Sequence, residues 1–320
     1  MDNVTVLTFT MTAYAVIENY KHGLFLLFLS LYVATVSLNL LLIAVIAQNR
    51  ELQKPMNVFV CLLCFNEMYG STALLPSVMS VLLFKTHEVS VKWCTAQVFF
   101  LHTYAGAEFC ILALMGYDRF VAICYPLHYN TIMCHSKVMK LVVCVGLYPP
   151  VVFAGYFCLT LQLSFCGKTI PKLYCVNMEL VKNACSNVPY ISVLGFVLIL
   201  FLVIPQVIMI VFSYGQIVRV CKKLSKESQG NAFKTCVPHL LSLLNYTIGS
   251  MFEIIQTRFN MSHIAMEVRI FLSLYFVIIP PITNPVLYGL GAQIVRVHII
   301  KLFIKYKTLP SKVAKRVTTA

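Results

Sequence analysis

The sequence predicts an all-α membrane protein: a seven-transmembrane helix bundle with a short amphipathic eighth helix. Three observations carry this. First, 59% of the 320 residues are hydrophobic and 11% charged, with a mean hydropathy of +0.82. A soluble domain is about 45–50% apolar and about 25% charged. A soluble fold of this size cannot hide so much apolar surface, which excludes a soluble enzyme, a disordered chain and a secreted disulfide mini-domain. Second, the apolar residues fall in seven long continuous runs. Each is long enough to cross a hydrocarbon core of roughly 30 Å, whereas a β-barrel alternates in segments of about ten. Third, the basic residues collect on one side of those runs.

The runs cover roughly 24–47, 57–84, 95–124, 138–163, 190–220, 236–257 and 268–290. The second, third and fifth exceed the minimum and are expected to tilt or protrude. The sixth is the weakest, because Asn245, Glu253 and Gln256 interrupt it. No linker, repeat or low-complexity tract separates the runs, so one domain is expected. A transporter would show repeated halves, and a retinal-binding pump needs a lysine in the last span, where 268–290 has none. An intramembrane metallohydrolase lacks histidines at ligand spacing.

An odd number of spans puts the termini on opposite sides. The chain has 25 Lys and Arg against 11 Asp and Glu, a formal net charge of +14. The loops after spans 1, 3 and 5, with the C-terminal tail, hold 17 of those 25, against only Glu51, Asp118 and Glu227. The positive-inside rule makes this side cytoplasmic and the N-terminus extracellular. The charge excess is then a topology signal that also draws anionic membrane lipids, and no nucleic-acid partner is expected. Residues 1–23 read as the extracellular N-terminus, 24–290 as the transmembrane domain, and 291–320 as a cytoplasmic amphipathic helix and basic tail. No cleaved signal peptide is expected ahead of the first span. Asn3-Val4-Thr5 is a glycosylation sequon on the outer side. Asn260-Met261-Ser262 is another, in a short outer loop near the bilayer; Asn245-Tyr246-Thr247 lies in a span and is discounted.

Four of the 13 cysteines fall on the outer side: Cys94, Cys166, Cys175 and Cys185. An even number there suits disulfides, and spacing leaves all three pairings open. The other nine read as small buried apolar residues. After the last span, Ile294, Val295, Ile299, Leu302 and Phe303 share one helical face, with Arg296, Lys301 and Lys305 elsewhere. That is the pattern of an amphipathic helix lying along a membrane.

The end of span 3 reads Met115-Gly116-Tyr117-Asp118-Arg119-Phe120-Val121-Ala122-Ile123-Cys124-Tyr125-Pro126-Leu127-His128-Tyr129. It resembles the M-A-Y-D-R-Y-V-A-I-C-x-P-L-x-Y signature of odorant receptors, a branch of the rhodopsin-like G-protein-coupled receptors. Leu52-Gln53-Lys54-Pro55-Met56-Asn57, Ser213-Tyr214, Thr235-Cys236-Val237-Pro238-His239-Leu240 and Pro281-Ile282-Thr283-Asn284-Pro285-Val286-Leu287-Tyr288 resemble further family motifs. So does the three-cysteine outer loop. Glu67 stands where the family has Asp, Leu38-Asn39 replaces Gly-Asn, and Gly289-Leu290-Gly291 replaces S-L-R. Asn245-Tyr246-Thr247 is one residue out of step with F-Y-G. The pattern looks like the divergent odorant receptors of fishes.

The resemblance implies a receptor, not an enzyme, in the plasma membrane (sensory cilia in the family). Its partners would be a small-molecule odorant and a heterotrimeric G protein of the stimulatory kind that raises cyclic AMP. A rhodopsin-like receptor for another small ligand is the nearest alternative. The activation switch would be Asp118, Arg119, Tyr214, Asn284, Pro285 and Tyr288; by position alone Arg119 also fits a snorkelling helix-end arginine. The ligand would sit among Leu101, His102, Ala105 and Gly106 on span 3, Leu198 and Leu202 on span 5, and Ser250, Met251 and Ile254 on span 6. Arg258, one turn beyond Ile254, is a candidate two-pronged anchor for an acidic odorant. It also reads as a loop arginine or a partner of Glu253 or Glu267. The disulfides implied are Cys94–Cys175 and Cys166–Cys185. Glu67 and Glu108 are mid-span carboxylates that cannot both ionise cheaply, so a proton or a sodium ion is expected between them. That sodium, an allosteric modulator in the family, is the only cofactor implied.

Overall fold

The computed structural model describes residues 6–84, 86–259, 261, 263–291, 294–301 and 304. The chain opens with strand β1 (Thr8–Met11) and the short helix α1 (Ala13–Ile17). Spans 1 and 2 are α2 (Lys21–Gln48) and α3 (Pro55–Leu83). Strand β2 (Glu88–Ser90) leads into span 3, α4 (Val91–Cys124). A single turn, α5 (Tyr129–Ile132), precedes span 4, α6 (His135–Leu161). Strand β3 (Thr169–Ile170) and helix α7 (Asn177–Lys182) lie in the next loop. Spans 5, 6 and 7 are α8 (Pro189–Cys221), α9 (Lys226–Arg258) and α10 (Met266–Gly291).

Among the described residues, six of these helices are long and apolar enough to cross a membrane. The seventh long helix, α9, is the polar one, as its composition requires. Ser90 caps α4 by accepting from the Trp93 amide at 3.2 Å, and Ser225 caps α9 by accepting from Ser228 at 3.3 Å. Pro55 and Pro189 open α3 and α8, where a missing N–H costs nothing. Helix α4 runs through the middle of the bundle, against α3, α6, α8 and α9; α10 packs on α9, α2 and α3. Val151, Phe201, Val211 and Phe271 are each more than half exposed on the outside. Such an apolar belt is a liability in water and is free of cost in hydrocarbon. The chain is a multi-pass membrane protein.

Three prolines lie inside α10. Pro280, Pro281 and Pro285 have no N–H for the carbonyls four residues earlier. Those carbonyls belong to Phe276, Val277 and Pro281. Each accepts a hydrogen bond from another helix: from Tyr104 Oη at 2.9 Å, Ser71 Oγ at 3.4 Å and Asn39 Nδ2 at 2.8 Å.

The fold is not purely helical. Strand β1 pairs antiparallel with β2 (Thr8 opposite Ser90) and parallel with β3 (Thr10 opposite Thr169). The sheet buries Phe9 and Met11, with Ala13 and Tyr14 of α1 beneath. Tyr14 Oη donates to the Leu173 carbonyl at 2.8 Å. Residues 6–20 are therefore packed structure, not a loose lead-in to span 1. Residues 294–301 and 304 are helical. Val295 is buried and Ile299 packs on the core, whereas Ile294, expected on the same face, is exposed. Leu302, Phe303, Lys305, Asn3, Asn260 and Ser262 lie outside the described residues.

Helices α9 and α10 meet at Gly249. A Cβ there would lie 2.7 Å from the Tyr275 ring and 3.0 Å from the Phe276 amide nitrogen, which is backbone and cannot turn aside. Gly249→Ala is expected to cost about 1–3 kcal/mol by overpacking. The check is the melting temperature of detergent-solubilised protein. Gly215→Ala, with nothing within 4 Å, is the control and should not lower it.

Candidate functional site

At the sheet end of the bundle, α4, α6, α8, α9 and α10 enclose a cavity of about 150 Å³ under the loop before α8. Leu101, His102, Ala105 and Gly106 line it from α4, Leu198 and Leu202 from α8, and Ser250, Ile254 and Arg258 from α9. Met251 does not; it packs against the core. Ser250, Glu253, Ile254, Thr257 and Arg258 follow the i, i+3, i+4, i+7, i+8 pattern of one face. Glu253 and Thr257 were therefore legible from period alone. Phe153 and Tyr156 of α6, Phe276 of α10 and the loop residues Tyr174 to Met178 were not.

The wall is apolar with a few polar groups. His102 Nδ1–H donates to the Val98 carbonyl at 2.8 Å, and the ring stacks on Phe153 at 4.5 Å. That leaves Nε2 as the acceptor of the neutral ring. Arg258 donates one bond from its guanidinium to the Ser192 carbonyl, 2.8 Å, and lies over the Phe196 ring at 5.9 Å. Its Nε is buried without a partner. Among the described residues no carboxylate pairs with it, neither Glu253 nor Glu267. Glu253 is instead held by Lys172, with Nζ at 2.8 and 3.1 Å from its two oxygens.

The loop that roofs the cavity is tied to the bundle at several points. Disulfides join Cys94 to Cys175 and Cys166 to Cys185. The Cys175 amide donates to Gln97 Oε1 at 2.9 Å, and Gln97 Nε2 donates to the Ala73 carbonyl at 3.1 Å. Tyr174 Oη donates to the Ser273 carbonyl at 3.1 Å. Burial, with the Glu253 carboxylate nearby, pushes that phenol well above its usual range, so it stays a donor.

At the opposite end, Asp118 is fully buried and Arg119 binds its Oδ2 through Nε at 3.1 Å and a terminal nitrogen at 2.5 Å. Tyr129 Oη donates to the other oxygen at 2.7 Å, a contact that no sequence signal announced. Burial and Asp118 raise the Tyr129 hydroxyl above the usual phenol range. Tyr214 donates to His239 Nδ1, whose Nε2–H donates to the Leu112 carbonyl at 2.8 Å. The Tyr288 hydroxyl is buried beside Ser242, neither with a formed hydrogen bond. Arg119 is thus closed on its neighbour, apart from Tyr214 and Tyr288.

Midway, Asn284 Nδ2 donates to Glu67 Oε1 at 2.5 Å and Asn66 Nδ2 to Glu108 Oε2 at 2.8 Å. Four buried oxygens here have no donor: Glu67 Oε2, Glu108 Oε1, Asn39 Oδ1 and Asn284 Oδ1. Oxygen acceptors without donors suit a hard cation or an added proton.

A helical membrane bundle with a small-molecule cavity at one end and a buried ion pair at the other is built as a receptor, not an enzyme. The olfactory receptor model matches residues 28–306. The chain is 33% identical to human olfactory receptor 52D1 over 310 residues, 96% of this chain and 97% of that one. It is 31% identical to human olfactory receptor 52N1 over 280 residues, 87% and 88% of the two chains. It is 30% identical to human olfactory receptor 52N2, with 87% of each covered. The chain belongs to the olfactory receptor family.

Gln97 bridges the roof loop to α3. Gln97→Leu leaves the Cys175 amide without its partner, at about 1–3 kcal/mol, and removes the tie to the Ala73 carbonyl. A lower melting temperature in detergent is expected, together with weaker ligand responses at matched surface level.

Proposed function

We propose that this odorant receptor detects small carboxylates, and that Arg258 is their anchor. The observation that carries the reading is a guanidinium without a carboxylate partner on the wall of a largely apolar cavity whose one carboxylate, Glu253, is held by Lys172. A cavity of about 150 Å³ holds a molecule of roughly benzene's size. A four- or five-carbon acid has that bulk. Its chain would lie against Leu101, Leu198, Leu202 and Ile254, its carboxylate on Arg258, with His102 Nε2 as a second polar contact. Apolar walls separate neighbouring chain lengths by only about 1–3 kcal/mol, so selectivity within the series is broad.

The positive-inside rule orients the receptor with the sheet end outside and Asp118–Arg119 at the cytoplasmic face of the plasma membrane. Ligand favours a state in which Arg119 leaves Asp118 and the far ends of α8 and α9 part for a stimulatory G protein. It shifts that equilibrium only by its differential affinity for the two states. Asp118, Arg119 and Tyr129 hold the resting state; Tyr214, Asn284 (bonded to Glu67 at rest), Pro285 and Tyr288 rearrange in the active one. Glu67 and Glu108, with Asn39 and Asn284, would hold a sodium ion that stabilises the resting bundle.

The test compares butanoate, 1-butanol and butylamine by cyclic AMP in cells expressing the receptor. Butanoate is expected to be the strongest, and Arg258→Met to weaken it roughly 10- to 150-fold, the worth of a charged hydrogen bond of about 1.5–3 kcal/mol. Equal potency of butanoate and butanol, or an inert Arg258→Met, would falsify the reading. For the sodium site, replacing choline by sodium is expected to raise the melting temperature of purified receptor. Glu67→Gln should remove that difference; an unchanged difference refutes the site.

A further inference from the structure

We propose that Lys172, which does not touch the ligand cavity, sets the sign of charge the cavity accepts by neutralising Glu253 from behind. The proposal rests on the reading of Arg258 as an anion anchor and names what makes that anchor selective. Helix α9 turns two opposite charges, Glu253 and Arg258, toward the same small space. Left to itself, such a wall suits a dipolar or cationic molecule as well as an anion. The ammonium of Lys172 changes this. It is 6% exposed, reaches both Glu253 oxygens, and is not part of the cavity lining. Gln256 Nε2 donates to the same carboxylate. The Glu253 oxygens are thereby occupied from the protein side, and the ligand meets one uncompensated charge, that of Arg258.

The lysine is placed, not incidental. On one side of it, β3 is paired to β1. On the other, the Leu173 carbonyl accepts from Tyr14, Tyr174 bonds to Ser273 and Cys175 is joined to Cys94. The Tyr174 ring lies 6.0 Å from Nζ and adds its π-face to the cation's surroundings. With the backbone fixed on both sides, the side chain is delivered to the Glu253 carboxylate. Removing the ammonium uncovers a buried carboxylate whose missing counter-charge a cationic ligand can supply.

The experiment measures potencies of butanoate and butylamine, two ligands of one carbon skeleton and opposite charge, on full-length receptor at matched surface level. Lys172→Met is expected to shift the butanoate-to-butylamine potency ratio toward the amine by about tenfold or more. Adding Glu253→Gln to that variant removes the uncovered charge and is expected to return the ratio to the acid side. Glu253→Gln alone keeps the lysine and should move the ratio further toward butanoate; it serves where Lys172→Met fails to reach the surface. A ratio unmoved by Lys172→Met and by Glu253→Gln, or an equal loss of both ligands that Glu253→Gln does not correct, overturns the proposal. Gain of an amine response is read whether or not the wild type answers butanoate. Absence of a butanoate response in the wild type therefore counts against the anchor, and absence of the shift counts against Lys172.

Discussion

In a bilayer, every backbone carbonyl must find its donor within the protein, and α10 carries three prolines that withdraw theirs. The solution is the set of bonds from Asn39, Ser71 and Tyr104, one each from α2, α3 and α4. An unmade bond in hydrocarbon costs several kcal/mol, so these contacts are obligatory. They fix the rotation and height of α10 against half the bundle. Asn284 then lands on Glu67, and the Ser273 carbonyl faces Tyr174 of the roof loop. Helix α8 repeats the device once: Pro205 frees the Phe201 carbonyl, which accepts from Tyr148 at 3.2 Å.

The charged residues divide by the same cost. Among the described residues most lysines and arginines are exposed. Buried Lys172 is bound to Glu253, and the partly buried Arg119 and Arg258 are bound to Asp118 and to a carbonyl and an aromatic face. Arg258 alone among these three has no carboxylate. That difference, not its position on the helix, is what the proposed role of Arg258 rests on.

How far the sequence could be read follows from the range of each interaction. Spans are local, since 20 apolar residues suffice to define one, and the sixth is weak because Asn245, Glu253 and Gln256 are local too. The α9 lining is semi-local: 3.6-residue period recovers Ser250, Ile254 and Arg258. The roof is non-local. Lys172 and Glu253 are 81 residues apart, and nothing around Lys172 hints that its side chain will be buried. The sheet was invisible for a similar reason, because strands of two to four residues carry no period of their own.

Strand β1 also sets an order of events. Its partner β3 follows about 160 residues later; the Tyr14–Leu173 bond that accompanies the pairing spans 159. At translation rates of about 5–20 residues per second, those residues wait roughly 8–30 s for their counterpart to emerge. During that interval β2 can pair with β1, but Phe9, Met11 and Tyr14 lack the β3 side of their packing. The segment made before every helix of the bundle is thus among the last to settle. Its apolar side chains stay open to chaperones until four membrane helices have been laid down.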